Sequence, residues 1–299
     1  MAAIRKQVFS KKLHEGNILK KLNKYSIINC TKCKFIHSMP IPKEKELAKL
    51  YQSEFFEIEK PNHLKNIETD IDWWNINFND KYDIFEKKIK KNKKTILDIG
   101  SGFGHFLKMG KDRNWDVTGV DPSLEGVKYA KEKFDLEIIN SNFNDELIKN
   151  LKRFDVIHLS DVLEHVPKPV NFLKNIYKVL NNNGILCLVV PNDYNLMQES
   201  AAINLKLDPW WLSPPFHVNY FNYESLINLL ETNNFKVFLK ESSFPLELFL
   251  LMGENYVDND SLGRMCHTKR KKLVGRVLDS NMEKTAVVQI DTRTPHPVY

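Results

Sequence analysis

Asp98, Gly100, Gly102 and Gly104 stand close together in "TILDIGSGFGHFL" (95–107), and Asp121 follows in "WDVTGVDPS". An acid followed by glycines at every second position makes a turn almost free of side chains. Glycine there takes up positive φ and lets a ligand approach the backbone closely. Asp98 would repel a diphosphate but would hold an ammonium, directly or through water. A phosphate-binding P-loop ends in Gly-Lys-Ser/Thr, where this chain has Gly104-His105-Phe106. A dinucleotide fingerprint needs G-x-G-x-x-G; the spacing G-x-G-x-G weakens that reading without removing it. Asp121 is placed to accept two hydrogen bonds from ribose hydroxyls. Together the two acids suit the two ends of an adenosyl amino acid.

These residues must be held by a strand-turn-helix scaffold. Thr95, Ile96 and Leu97 read as a buried parallel strand, and Phe106 to Arg113 as the helix after it. Val117 to Val120 reads as a second strand, with a helix from Ser123. The expected fold is therefore α/β, a Rossmann-like doubly wound sheet, mostly parallel. At 299 residues and 42% hydrophobic content the chain can bury a large core. No stretch reaches the ~20 apolar residues of a membrane span, and "MAAIRKQVFSKKLHEG" lacks the apolar centre of a signal peptide, so a cytoplasmic location is expected. The net charge of +6 is spread along the chain, and the run "EKKIKKNKK" reads as a solvated helix end ahead of a phosphate-contacting patch.

Residues from about Lys94 to Asn192 resemble a class I S-adenosylmethionine-dependent methyltransferase, and the likeness extends over about residues 25–270. "LDIGSGFGHFL" matches the family's first motif, "GVDPS" its second, and "FDVIHLSDVLEHVPKPVNFLKNIYKVLNNNGILCLVVPN" its fourth strand, helix and fifth strand. The resemblance implies that Asp98, Gly100, Ser101, Gly102 and Gly104 cradle the methionine part of S-adenosylmethionine and that Asp121 and Pro122 lie at the ribose. It also implies Asn142 and Phe143 beside the adenine, and Ser160 and Asp161 closing the methionine side. The family more often has an acid where Asn142 stands. Glu164 and His165 in "LEHVP" are read either as fixing the strand-to-helix geometry or, for His165, as catalytic. In similar methyltransferases an "H-x-x-Y-F" stretch faces the active site, so His217 in "PPFHVNYF" is the first candidate for a general base or substrate anchor. The loop carrying it, with Trp210, Trp211, Pro214 and Pro215, is placed as an acceptor wall; the alternative is that Pro214, Pro215 and Tyr220 only lock the loop. The acceptor expected is a small or sugar-linked molecule, and the sequence does not choose among O-, N- and C-methylation.

Around the cofactor domain (94–270) lie three further segments. Residues 1–41 contain "CTKC", and Cys30, Cys33 and His37 supply three of the four ligands a structural zinc site needs. The stretch resembles the second half of a zinc ribbon whose first half is missing or degenerate; His14 is the one candidate for a fourth ligand, and a metal-free reading stands beside the zinc one. Cys187 in "ILCLVV" reads as a core residue. Residues 42–93 form an accessory region: an amphipathic helix beginning near Pro42, then a helix that brings Trp73, Trp74, Phe78, Tyr82 and Phe85 together as core, with a roof over the cofactor as the second reading. Residues 271–299 resemble the start of bacterial small-subunit ribosomal protein seventeen, an RNA-binding OB-fold too short here to close. A poorly packed tail without RNA affinity is expected; the alternative is that "KTAVVQIDTR" serves as the seventh, normally antiparallel, strand of the methyltransferase sheet. Against the leading methyltransferase reading stand a nicotinamide-dependent oxidoreductase and an RNA-associated protein.

Overall fold

The computed structural model describes residues 8–11, 13–43, 46–47, 63–242, 245–257, 259, 261–263, 265–266 and 287–291. Its centre is a seven-stranded sheet of β5 (Thr95–Ile99), β6 (Asp116–Asp121), β7 (Ile138–Asn140), β8 (Phe154–Ser160), β9 (Leu180–Pro191), β11 (Leu239–Ser242) and β12 (Val287–Asp291), in the order β11-β12-β9-β8-β5-β6-β7. Every pair in it is parallel. Parallel strands are covered on both faces, which is why Ile96, Leu97, Val156, Ile157 and Ile185 to Leu188 are all fully buried. The doubly wound α/β expectation holds. The chain runs outward from β5 through β6 to β7, then returns to place β8 on the other side of β5. That reversal opens a crevice at the carboxyl ends of β5 and β8.

Helices among the described residues include α1 (His63–Thr69), α2 (Ile71–Lys88), α3 (His105–Asp112), α4 (Leu124–Phe134), α5 (Pro169–Val179), α6 (Leu196–Leu205), α7 (Tyr223–Glu231) and α8 (Glu247–Leu251). Helix α2 lays Phe78, Tyr82 and Phe85 against Phe106 of α3, Trp115 and the β5–β8 face. The Tyr82 hydroxyl donates to the Phe106 carbonyl at 3.2 Å. A Cβ on Gly110 would lie 2.2 Å from that hydroxyl, so the missing side chain lets the two helices approach. Arg113 bridges back to Glu86 at 2.7 Å and to Asn79 at 2.9 Å, clamping the far end. The helix expected near Pro42 lies mostly outside the described residues.

A second sheet is antiparallel: β1 (Val8–Lys11), β2 (His14–Leu22), β3 (Tyr25–Cys30), β4 (Phe35–Met39) and β10 (Asn219–Tyr220), in that order. The segment expected to resemble the second half of a zinc ribbon is an antiparallel meander, and its last partner comes from the loop after β9. Two expectations need correction. The strand foreseen at Lys236–Lys240 begins only at Leu239. The tail is not wholly unpacked: Val287–Asp291 is hydrogen-bonded between β9 and β11, with Val288 opposite Leu188 and Lys240. The edges of β9 and β11 offer unmatched N–H and C=O groups, and a β-branched run satisfies both. It does so in parallel to its neighbours rather than antiparallel; the rest of 271–299 lies outside the described residues.

Phe85 is fully enclosed between α2 and the sheet. Phe85→Ala should lower stability by about 3–5 kcal/mol, read as a lower midpoint in urea unfolding with the cofactor-site residues untouched.

Candidate functional site

Strand register builds the first half of the site. Asp98, next to last in β5, lies directly across from His158 of β8. The His158 Nδ1–H donates to Asp98 Oδ1 at 2.7 Å, and both side chains are buried. The His158 ring stacks on Phe106 with centroids 3.8 Å apart, so it cannot swing away. Sequence reading missed His158; the visible signal was a histidine flanked by apolar residues in "VIHL" (156–159).

Beyond β5 the chain turns through Gly100 (φ +76°), Gly102 (φ +51°) and Gly104 (φ +81°), all in the left-handed region. Each glycine has its own reason. A Cβ on Gly100 would lie 2.5 Å from Val162 Cγ2, and one on Gly104 would meet Ala130 at 3.0 Å. A Cβ on Gly102 would meet nothing within 4 Å. The bare backbone of Gly102 therefore faces open space. Asp121 fastens this turn: its Oδ2 accepts from the Gly102 N–H at 2.7 Å, and its Oδ1 accepts from the Ser123 N–H at 2.8 Å. Burial pushes the Asp121 carboxyl up to about 6, against the pull of the two N–H donors.

A cavity of about 630 Å³ opens onto these groups. Asp98, Gly100, Ser101, Gly102, Gly104, Asp121, Pro122, Asn142, Phe143, Ser160 and Asp161 all line it. Trp74 and Phe78 of α2 line it too, so the aromatic helix is core at Tyr82 and Phe85 and roof nearer its start.

The acceptor side differs from expectation. His165 lines the cavity and His217 does not. His217 lies behind, its ring edge-on to that of His165 with centroids 4.7 Å apart. The reason is in the backbone: Val218 N–H donates to the Glu164 carbonyl at 2.9 Å, and Asn219 Nδ2 donates to the carbonyls of Leu163 and Val166. The loop is thereby sewn onto the turn carrying Glu164 and His165, a 3-10 turn spanning Leu163–His165, and its His217 is screened from the cavity. Trp211 and Tyr220 pack in a separate cluster with Ile27 and are not in the cavity lining, so Trp211 forms no part of an aromatic wall there and Tyr220 suits the reading in which it locks the loop. His165 Nδ1–H donates to the Phe216 carbonyl at 2.8 Å, leaving Nε2 as the basic nitrogen, 3.7 Å from the fully buried Glu164 carboxylate.

The family model for a methyltransferase domain matches residues 77–240. The chain belongs to the methyltransferase-domain family. Among curated relatives, the ubiquinone biosynthesis O-methyltransferase of Coxiella burnetii is 31% identical over 144 residues, covering 43% of this chain and 61% of that enzyme. The enzyme of the same name from Pelagibacter ubique is 29% identical over 154 residues, covering 50% of this chain and 63% of its own length. The chain thus spans less than two thirds of these relatives. Among solved structures, the plantazolicin methyltransferase BamL, in complex with a triazolic desmethylPZN analog and SAH, has a TM-score of 0.50 at 16% identity, covering 74% of this chain and 87% of that one. That likeness is one of fold.

Outside the methyltransferase cavity, the structure brings Cys30, Cys33 and His37 together with His14. Burial and the neighbouring Cys30 push the Cys33 thiol up to about 12, and burial pushes His37 down to about 4.

The glycines of the methyltransferase turn should separate in stability. Gly100→Ala meets both strained backbone and Val162, and should cost about 2–3 kcal/mol; Gly102→Ala meets strained backbone alone, and should cost about 1 kcal/mol. Thermal unfolding of the two variants side by side checks the order.

Proposed function

We propose that the protein transfers a methyl group from S-adenosylmethionine to a hydroxyl of a small or sugar-linked acceptor, with His165 as general base. The observation that carries this reading is a single cavity onto which a buried carboxylate, a side-chain-free glycine turn, a second carboxylate and a histidine with its basic nitrogen identified all open. The residues fit the cofactor: Asp98 suits its ammonium, the open side of Gly102 leaves room for its chain, and Asp121 has acceptor capacity left for ribose hydroxyls. Asn142 and Phe143 flank the end where adenine would lie, and Ser160 and Asp161 the methionine side. When bound, S-adenosylmethionine supplies an electrophilic methyl on a sulfonium.

The chain's own residues supply the rest. Asp98 is fixed in place by its hydrogen bond from His158, so it can anchor a cation without first reorganising. Trp74 and Phe78 exclude water from above. His165 Nε2 takes the proton of the acceptor hydroxyl, and the Glu164 carboxylate stabilises the imidazolium that results. His217 packs against His165 and acts as a positioning residue rather than as the base. Similarity to the ubiquinone biosynthesis O-methyltransferases supports transfer to oxygen.

Asp98→Asn should weaken binding of S-adenosylhomocysteine at least about tenfold, measured by calorimetry; unchanged affinity would remove the basis of the cofactor assignment. His165→Gln should lower kcat by about 10²–10⁴ with that affinity unaltered, in a mass-shift assay with labelled cofactor over metabolite extracts. Because the Asp121 carboxyl is raised to about 6, it is ionised at neutral pH and protonated below that value. Affinity for S-adenosylhomocysteine should therefore fall as pH drops through about 6, and a titration flat from neutrality into the acid range would contradict the ribose role.

A further inference from the structure

Apart from the cavity and the histidine pair behind it, one other place among the described residues gathers groups with strong ligand chemistry. His14 opens β2, Cys30 ends β3, Cys33 sits in the turn after it and His37 lies mid-way along β4. One ligating atom from each lies within 4.8 Å of all the others. His14 Nδ1 is 3.2 Å from His37 Nε2 and 3.4 Å from Cys33 Sγ. A zinc tetrahedron with Zn–N near 2.05 Å and Zn–S near 2.3 Å has N···N edges of about 3.3 Å and N···S edges of about 3.6 Å. The observed separations are close to those edges.

Hydrogen bonds to the main chain fix two of the four groups, His37 and Cys30. His37 Nδ1–H donates to the Ser38 carbonyl at 3.1 Å, which leaves the Nε2 lone pair directed at His14. The Cys33 N–H donates to Cys30 Sγ at 3.4 Å, which holds that sulfur beside the turn carrying Cys33. A proton on His14 Nδ1 can be donated well to only one of its two neighbours, His37 Nε2 or Cys33 Sγ, whereas a cation satisfies both. Cys30 and His37 are buried while Cys33 and His14 are partly exposed, so the centre is enclosed yet reachable from solvent.

We propose that His14, Cys30, Cys33 and His37 form a tetrahedral zinc site whose role is to hold the wall that positions the catalytic histidine. His37 pairs directly across from Asn219 where β4 meets β10, and the Ser38 N–H donates to the Val218 carbonyl at 2.8 Å. The same short stretch holds the other side of the site: Phe216 receives the His165 Nδ1–H, Val218 donates to Glu164, and Asn219 donates to Leu163 and Val166. An ion fixed at His37 is therefore two hydrogen-bonded steps from His165. The metal assignment stands independently of the methyl-transfer reading; the positioning role rests on His165 being the base.

The full chain, purified without added metal, should carry about one zinc per molecule by elemental analysis. Loaded with cobalt(II) in place of zinc, the unmodified chain should show the intense ligand-field bands of a tetrahedral dithiolate site, a readout independent of whether any variant folds. His14→Ala should lose the zinc and His14→Cys should keep it. Absence of stoichiometric zinc together with absence of those bands, or full zinc retention in His14→Ala, would overturn the site. Stripping the metal with a chelator should speed amide exchange at Ser38 and Val218 at least tenfold, reversed by zinc, and raise the acceptor KM while affinity for S-adenosylhomocysteine stays constant. Unchanged exchange at those amides in the stripped chain would overturn the positioning role. A failed methyl-transfer reading would show itself differently, as intact zinc and zinc-dependent protection in a chain that binds no S-adenosylhomocysteine.

Discussion

The site depends on a buried carboxylate having a fixed hydrogen-bond partner. Asp98 is buried at the end of β5, where a polar group without a partner is costly. His158 supplies that partner, and it can do so because parallel register sets the two residues opposite each other on adjacent strands. Phe106 then fixes the imidazole by stacking. The pair is therefore a property of the sheet, and any change in the β5–β8 register would separate charge from partner.

The glycine turn is the complement of that pair. An ion held at Asp98 is useful only if the next residues leave space beside it, and three left-handed glycines at alternate positions shape the turn so that the bare backbone of Gly102 faces that space. Left-handed glycines are entropically costly to order. Asp121 offsets this by accepting from Gly102 and Ser123, tying the first turn to the second. One acid thus holds the cradle's shape while the other sets its charge.

The antiparallel sheet reaches the same cavity from the opposite direction. Its strand β4 recruits β10 from the loop after β9, and that loop in turn holds the turn of Glu164 and His165. Closing the site on this side needs no large apolar wall; a ladder of main-chain bonds does it, which is why Trp211 and Tyr220 are packed away from the ligand space. The two sheets meet at His165, which lines the cavity.

Much of the cofactor side was legible in the chain itself. Short apolar strands, an acid, and glycines at alternate positions are local signals, because backbone conformation and strand burial are decided within a few residues. Helix Tyr223–Glu231 and the residues from Asp98 to Asp161 were readable for that reason. What remained hidden depended on partners far apart in sequence. The match of His158 to Asp98 needs the strand order, the preference for His165 over His217 at the cavity needs the loop's hydrogen bonds to Leu163, Glu164 and Val166, and His14 joins Cys30, Cys33 and His37 only when β2, β3 and β4 pair. The place of Val287–Asp291 was undecidable in the same way, since a β-branched run states that it will pair but not with which edge. Sequence determined which side chains could do chemistry; only the tertiary structure decided which of them share a space, because proximity across strands is set by register and sheet order rather than by spacing along the chain.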